Sequence, residues 1–232
     1  MHTQASKAYF NSMATDIYSL AQVPYPKALK WQRERKILRA KGLCNDALFL
    51  VEHPPVYTAG RATQADHIPG ATLHEIIEVE RGGSVTFHGP GQLVGYLIFD
   101  LRPRRRDVHQ FLRDIEMIIV RTLAKLGLVG MQRNGLTGVW VKDEKVASLG
   151  IHVGKWITSH GFSLNIDMDL APFQAVNPCG QDGRLLTSLR NLLGRDVNRQ
   201  EVEKILVEQV QRIFGERVAL CTKLLPSLEE SK

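Results

Sequence analysis

The sequence carries one cysteine in a setting suited to covalent chemistry. Cys179 stands in the run Asn-Pro-Cys-Gly, where Pro178 fixes a backbone dihedral and Gly180 permits a tight turn. We therefore predict that the thiol lies on a stiff loop and acts as a nucleophile. The alternative is an inert, half-buried cysteine, which is the interpretation we adopt for Cys44 and Cys221. A free thiol has a pKa of about 8.5, so a nucleophilic Cys179 needs a base or a cation beside it.

Lysine and histidine are the side chains that can hold such a thiol in its ionised form. His88, His152 and His160 are the histidine candidates, and Lys145 is the lysine candidate. Lys145 opens the strand pattern Lys-Val-Ala-Ser-Leu-Gly-Ile, in which alternate residues share a face. By that alternation it lies with Ala147, Leu149 and Ile151. An ammonium group on an apolar face is costly to bury without a partner, so Lys145 either meets Cys179 or extends past the adjacent turn to water.

A glycine-rich segment at 81–92 is the second feature with a chemical interpretation. It reads RGGSVTFHGPGQ and holds four glycines, one proline and one histidine within twelve residues. Backbone without side chains can approach another molecule closely and offer it N–H groups. We interpret the segment, with Arg81 before the glycines and His88 after them, as the wall of a binding site. A glycine-rich hairpin between strands predicted at 76–80 and 93–101 is the alternative.

Small side chains on two further strands indicate a groove. Ser148, Leu149 and Gly150 belong to the strand that Lys145 opens, and 160–165 reads HGFSLN on a neighbouring strand. Small residues side by side leave room for a slim apolar ligand, although glycines that let two layers approach would give the same pattern. No pair of histidines has the spacing of a zinc site, and neither a P-loop nor a Rossmann fingerprint is present. We therefore expect no metal and no nucleotide cofactor of those types.

The elements around these residues follow from hydrophobic periodicity. Apolar residues recur at helical spacing after the N-cap candidate Asp107 and from Asn198, and Gly42 and Gly127 end two helices. The predicted helices are 25–40, 107–127 and 198–214. The predicted strands are 17–21, 47–52, 76–80, 93–101, 138–141, 145–153 and 157–166, of which the last three form an antiparallel meander, and 56–69 is predicted as loop. The pattern is typical of an α+β domain with a mixed or antiparallel sheet and flanking helices.

No linker divides the chain, so we predict one domain. Residues 1–14 are expected to be a disordered leader, 15–216 the folded domain and 217–232 a C-terminal tail. Three cysteines without a Cys-x-x-Cys pair indicate a reducing compartment, and no apolar run approaches the roughly 20 residues of a membrane span. The N-terminal residues lack the apolar region of a secretory signal. We therefore expect a cytoplasmic protein without membrane contact.

Charge and composition bound the class of partner. The chain is 44% hydrophobic and 23% charged, as ordinary globular proteins are, and its net charge of +6 gives a weak preference for acidic partners. Arg102, Arg104, Arg105 and Arg106 form the densest basic cluster, which is either a solvated turn before a helix or a docking patch. A nucleic-acid-binding module would need aromatic residues interleaved with these arginines, and the cluster has none.

Five segments of the chain, in the order in which they occur, resemble the lipoate-protein octanoyltransferases, the lipoyl(octanoyl) transferases of lipoate biosynthesis. They are LVEHPPVYTAGR (50–61), RGGSVTFHGPGQLVGY (81–96), GVWVKDEKVASLGIHV (138–153), HGFSLNID (160–167) and NPCG (177–180). The fit is looser at 181–184, where a polar stretch follows the cysteine motif. The resemblance implies the fold of the biotin and lipoate ligase catalytic domain.

In that family an octanoyl group passes from the phosphopantetheine thioester of acyl carrier protein to a cysteine and then to a lysine ε-amine. The acceptors are the lipoyl domains of 2-oxoacid dehydrogenase E2 subunits and the glycine-cleavage H protein. The resemblance implies that Cys179 forms the acyl thioester, and that Lys145 lowers the pKa of its thiol and acts as general acid and base. It implies an acyl-binding wall made of Arg81, Gly82, Gly83, Ser84, Val85, Thr86, Phe87, His88, Ser148, Leu149, Gly150, Gly161, Phe162 and Ser163. It implies no cofactor, no metal and no nucleic acid, and it makes the arginine cluster a candidate dock for the acidic carrier.

An ATP-dependent lipoate or biotin ligase on the same fold is the nearest alternative. Lipoate ligases carry the pattern Arg-Arg-x-x-Gly-Gly-Gly-x-Val-x-His-Asp. This chain has a single Arg81, only Gly82 and Gly83, and Gly89 at the position of the aspartate. These differences argue against adenylation of a free acid.

Overall fold

Strands form two sheets in the residues that the computed structural model describes, which are 14–68, 70, 72–176, 185–215 and 217–221. In chain order the strands are β1 (Ala14–Gln22), β2 (Asp46–Glu52), β3 (Val56–Ala59), β4 (Ile76–Glu78), β5 (Thr86–His88), β6 (Gln92–Ile98), β7 (Gly130–Arg133), β8 (Leu136–Val141), β9 (Glu144–Gly154), β10 (Ile157–Asn165) and β11 (Arg217–Leu220). The larger sheet has the order β11-β1-β2-β6-β10-β9-β8-β7, and the smaller has the order β4-β3-β5.

Both strand directions occur in the larger sheet. β1 lies between β11 and β2 and is parallel to both, whereas the neighbouring pairs from β2 to β7 are antiparallel. In the smaller sheet β3 is parallel to β4 and antiparallel to β5. The predicted meander corresponds to β8, β9 and β10. The mixed sheet with its flanking helices confirms the α+β fold class.

Helices cover both faces of the larger sheet. They are α1 (Tyr25–Ala40), α2 (Val108–Lys125), α3 (Leu189–Leu193) and α4 (Arg199–Phe214). Strand alternation divides the buried side chains between two cores. Leu48 and Leu50 of β2 pack with α2 and α4, whereas Phe49 and Val51 pack with α1. These cores hold the strands that carry the site residues in fixed register.

The ends of the long helices follow from the residues at their caps. The side chain of Asp107 accepts a hydrogen bond from the backbone N–H of Gln110 (2.9 Å), and Asn198 caps α4 in the same way. Gly42 and Gly127 have φ values of 71° and 84° just beyond α1 and α2, in the left-handed region that glycine tolerates best. The three long helices predicted from the sequence are confirmed.

Two interpretations of the region around the glycine-rich segment are wrong. The loop predicted at 56–69 contains β3 and a 3₁₀ turn at Ala65–His67. β3 has only four residues and pairs with strands distant in sequence, which periodicity does not reveal. The alternative of a hairpin also fails, because β4 joins the smaller sheet and β6 the larger. β7 and α3 escape prediction because each has at most five residues.

The last described strand extends the larger sheet into the segment that we assigned to a tail. β11 pairs in parallel with β1, and the N–H of Cys221 donates to the carbonyl of Ile17 (2.8 Å). This strand has only four residues, too few for alternation to be recognised, and it pairs with the edge of β1. Of the predicted leader, only Ala14 is described, and it begins β1. None of the helices described is long and apolar enough to cross a membrane.

Candidate active site

A cavity of about 410 Å³ lies between the glycine-rich segment and strands β9 and β10. Lys145 lines it together with most of the predicted wall, namely Arg81, Gly82, Gly83, Ser84, Val85, Thr86, His88, Ser148, Leu149, Gly150, Gly161, Phe162 and Ser163. Phe87 does not line it, because its ring packs against Tyr57 and Phe173. The structure thus brings these residues together around one space, and their role in acyl binding stays a prediction.

Glycines let the wall of the cavity close tightly. Gly161 and Gly150 face each other on β10 and β9, and a Cβ on Gly161 would lie 2.2 Å from the carbonyl oxygen of Gly95. A Cβ on Gly150 would lie 2.7 Å from the carbonyl oxygen of Gly82. The N–H of Gly82 donates to the carbonyl of Ile151 (2.9 Å), so the glycine-rich segment rests directly on β9. Side chains at these positions would push the two backbones apart.

Arg81 shapes the glycine-rich segment from within the protein. Its buried guanidinium donates to the carbonyl oxygens of Ser84 (2.7 Å) and Thr58 (2.6 Å), and to the hydroxyl of Thr58 (2.8 Å). Such charge-assisted hydrogen bonds are stronger than neutral ones. Arg81 therefore ties the segment to β3.

A chain of buried hydrogen bonds continues from Thr58 through His88. The Thr58 hydroxyl donates to Nε2 of His88 (3.3 Å), and Nδ1 of His88 donates to Oε1 of Gln92 (2.7 Å). Nε2 of Gln92 donates to Oδ1 of Asn165 (2.9 Å), and Nδ2 of Asn165 donates to the carbonyl of Thr187 (3.0 Å). Burial lowers the pKa of His88 to about 3 and keeps the ring neutral. Because both ring nitrogens are engaged, His88 is poorly placed to serve as a base for a thiol.

The other two histidine candidates are also neutral at pH 7. Burial lowers the pKa of His160 to about 4. Burial, followed by the nearby Lys36 ammonium, lowers the pKa of His152. His160 lines the cavity, and its backbone N–H donates to Oε1 of Gln32 (2.8 Å), whereas His152 lies outside the lining. A neutral imidazole cannot pair with a thiolate as a cation, so lysine is the better candidate.

Lys145 lies half-buried at the cavity. Its Nζ is 5.2 Å from the centroid of the Trp140 ring on β8. Its carbonyl accepts a hydrogen bond from the N–H of Thr187 (3.0 Å), beside an isolated bridge to Leu186. The chain that follows 177–184 is thereby attached to the backbone of this lysine.

Cys179 lies outside the described residues, so its predicted place beside Lys145 stays a prediction. The described chain on each side of 177–184 reaches the cavity. Phe173 lines the cavity before this segment, and Leu185 and Leu186 line it afterwards. Both approaches to the cysteine motif are therefore anchored at the same space as Lys145.

Comparison with known proteins decides the family. The family described as Lipoyl protein ligase A/B catalytic domain matches residues 25–211. An octanoyltransferase of Geobacter metallireducens is 40% identical over 204 residues, which cover 87% of this chain and 94% of the relative. One of Gloeobacter violaceus is 44% identical over 196 residues, which cover 83% and 87%. The chain belongs to the octanoyltransferase family. The resemblance of its motifs is confirmed, and the protein is an acyltransferase of protein lipoylation.

Two solved structures with similar folds are ligases. Lipoate-protein ligase A bound with ATP superposes with a TM-score of 0.73 at 16% identity, covering 94% of this chain and 92% of the ligase. Biotin protein ligase from Aquifex aeolicus gives a TM-score of 0.51 at 12% identity, covering 87% and 69%. At these identities the likeness concerns the fold alone. It confirms the expected catalytic-domain fold of the biotin and lipoate ligases.

Two of the four arginines in the cluster of this octanoyltransferase form internal ion pairs. Arg102 binds the carboxylate of Asp100 through two nitrogens, the shorter contact being 2.6 Å. Arg104 pairs with the fully buried Asp46 and lies over the Phe99 ring. Half of the cluster is thus held in ion pairs with buried carboxylates, so neither a solvated turn nor an all-basic docking patch describes it fully.

The buried polar partners of the wall were not predicted from the sequence. Thr58, Gln92 and Asn165 are far apart in the chain, and only the fold connects them. The position of Gln92 could have indicated a buried polar contact, since it is a polar residue that opens an apolar strand. Within the described ranges, no three His, Cys, Asp or Glu side chains are grouped so as to hold a metal ion.

Proposed function

We propose that this octanoyltransferase carries its acyl group on Cys179, with Lys145 beside it, in two successive transfers. The donor is the phosphopantetheine thioester of acyl carrier protein. The acceptor is a lysine ε-amine on the lipoyl domain of a 2-oxoacid dehydrogenase E2 subunit or on the glycine-cleavage H protein. One observation carries the proposal: Lys145, the glycine-rich segment and the chain on both sides of the cysteine motif line a single cavity. A mostly apolar cavity with a few convergent polar groups is the usual form of a small-substrate site.

In the first transfer the Cys179 thiolate attacks the carbonyl carbon of the donor thioester. A carbon–sulfur bond to Cys179 forms, and the bond to the pantetheine sulfur breaks. The departing thiolate takes a proton from the Lys145 ammonium and leaves as a free thiol. One thioester replaces another, so the step is nearly isoenergetic and needs no ATP. Lys145 is left as a neutral amine.

In the second transfer the neutral acceptor amine attacks the acyl carbonyl on Cys179. Lys145 takes a proton from the attacking nitrogen, an amide bond forms, and Cys179 departs as a thiolate. The ammonium and thiolate of the resting state are thereby restored. Formation of an amide from a thioester is downhill, which drives the sequence forward.

The cavity wall suits a slim acyl chain with a reactive carbonyl at one end. Val85, Leu149 and Phe162 supply apolar surface, and the close glycine contacts keep the space narrow. The N–H of Gly82 is engaged by the carbonyl of Ile151. We therefore assign stabilisation of the carbonyl oxyanion to the N–H of Gly83 or to backbone near Cys179.

Mass spectrometry of the intact protein tests the cysteine assignment. Wild-type protein mixed with octanoyl-acyl carrier protein should gain one octanoyl group that hydroxylamine removes, because thioesters are labile to it. Cys179→Ser should gain no such group, whereas Cys44→Ser and Cys221→Ser should label as the wild type does. Hydroxylamine-labile octanoyl on the Cys179→Ser protein would disprove the assignment.

The ATP-dependent ligase is the alternative activity on this fold. It predicts ATP–pyrophosphate exchange that depends on free octanoate, whereas octanoyl transfer from the carrier proceeds without ATP. Exchange above background would favour the ligase. We place the reaction in the cytoplasm, in keeping with the free thiols of Cys44 and Cys221.

A further inference from the structure

A β-bulge directs the side chain of Lys145. On β8 and β9, Val139 pairs with Ala147, whereas the next residue, Trp140, pairs with Lys145. β9 therefore has one extra residue, Val146, within this short stretch. Bulges of this kind re-aim side chains and are frequent beside active sites. The alternation that we used to place Lys145 on the face of Ala147 is therefore interrupted between these two residues.

Gly138 provides the space into which the Lys145 side chain extends. A Cβ on Gly138 would lie 2.4 Å from Cε of Lys145, and the φ of Gly138 is 149°. The N–H of Gly138 donates to Oε1 of Glu116 (2.8 Å), a carboxylate that α2 buries almost completely. The other oxygen of Glu116 accepts from Arg113 (2.7 Å). A helix thus fixes the backbone over which the lysine side chain passes.

Trp140 places an aromatic ring next to the Lys145 ammonium. The ring is 3% exposed, and Nζ lies 5.2 Å from its centroid. That distance is within the range of a cation–π interaction, which favours the charged form of the amine. Arg133 of β7 lies 5.4 Å from the same ring centroid. The charged groups that β7 and α2 bring to this part of the site are therefore Arg133, Glu116 and its partner Arg113.

We propose that Trp140 is a positioning residue that holds the Lys145 ammonium at the cavity and stabilises its charge, with Gly138 and Glu116 setting its path. This inference rests on the proposed roles of Lys145 and Cys179. Its consequence is chemical: a lysine that stays charged and close keeps the neighbouring thiol ionised at neutral pH. We assign Trp140 itself no contact with the acyl group or the sulfur.

The pH dependence of Cys179 alkylation tests the inference without any acyl donor. Iodoacetamide labelling of Cys179, followed at the level of its peptide by mass spectrometry, reports the fraction of thiolate. In Trp140→Leu the midpoint should rise by about one pH unit, and the alkylation rate measured well below both midpoints should fall roughly tenfold. Trp140→Phe, which keeps a ring, should recover most of the loss. The matched control is Trp156→Leu, because Arg106 lies 5.9 Å from that ring and Trp156 is absent from the cavity lining.

Fluorinated tryptophans provide a second test, because they change the charge distribution of the ring and leave its shape almost unchanged. The chain has three tryptophans, so Trp31→Phe and Trp156→Phe leave Trp140 as the single site for fluorinated tryptophans. Each added fluorine weakens the negative face of the ring and should raise the alkylation midpoint further. An alkylation midpoint that does not change with the number of fluorines would overturn the inference. So would a folded Trp140→Leu protein whose alkylation has the pH profile of the wild type. In either case, acyl labelling of the wild-type protein would still support the proposed function. Failure of wild-type Cys179 to acquire the acyl group would refute the proposed function instead.

Discussion

Burial determines which basic side chains around the cavity can act on a thiol. His88 and His160 are held neutral, and His88 already uses both ring nitrogens. The hydrogen bonds of Arg81 to Ser84 and Thr58 fix it as part of the wall. Among the described residues that line the cavity, Lys145 is then our candidate to pair with a thiolate.

Replacement of Lys145 by methionine keeps an unbranched side chain and removes the charge. We expect acyl-thioester formation at pH 7 to fall by about 10²-fold or more, because the thiol loses its cation and the leaving sulfur loses its acid. The loss should shrink as the pH rises through the pKa of the free thiol. Single-turnover labelling from octanoyl-acyl carrier protein measures this rate between pH 6 and 9, a range that includes the pKa of a free thiol, about 8.5. Lys142→Met, at an exposed turn three residues earlier, is the matched control and should behave as the wild type.

At the scale of elements, close contacts between strands set the shape of the site. β10 lies between β9 and β6, and Gly161 lets it approach β6 so closely that backbone meets backbone. The glycine-rich segment rests on β9 in the same manner. These contacts leave a space between backbones that larger side chains would fill or distort.

Gly161→Ala should destabilise the protein, because its Cβ would meet the backbone oxygen of Gly95 at 2.2 Å. A backbone atom cannot move aside as a flexible side chain can, so β10 and β6 must shift apart. We expect a loss of about 1–3 kcal/mol in the free energy of unfolding. Urea denaturation measures it. Gly70→Ala is the control, since an added Cβ meets nothing within 4 Å there, and equal stability of the two variants would contradict the argument.

At the scale of the molecule, elements defined by local sequence patterns were predicted better than pairings between distant segments. α1, α2 and α4 are long and periodic and carry cap residues such as Asp107 and Gly42, so the sequence defines them. The motifs also indicated which residues meet at the cavity. The smaller sheet was missed because β3 is a four-residue strand whose partners are remote. Gly138 and Trp140 belong to a recognised segment, but their relation to Lys145 depends on a bulge that only the strand register reveals.

Three neutral histidines in one connected region tie the stability of the molecule to pH. Burial lowers the pKa of His53 and His160 from 6.5 to about 4 and that of His88 to about 3. The rings of His53 and His88 are 5.9 Å apart, and Tyr96 lies between His53 and His160, with centroids 5.9 and 6.4 Å away. Each imidazole is therefore neutral in the folded protein at pH values where the unfolded chain is protonated.

The sign of the pH dependence follows from proton uptake. Between about pH 6.5 and 4 the unfolded chain binds these protons and the folded protein does not, so the free energy of unfolding should fall as the pH falls. Each histidine contributes up to about 1.4 kcal/mol per pH unit within that window. Urea denaturation between pH 7 and 4 measures the slope. His53→Gln, which leaves the cavity lining intact, should reduce the slope by about one proton's share, because the amide does not titrate. A slope identical to that of the wild type would mean that His53 does not contribute to the pH dependence, which would contradict a lowered pKa for this residue in the folded protein.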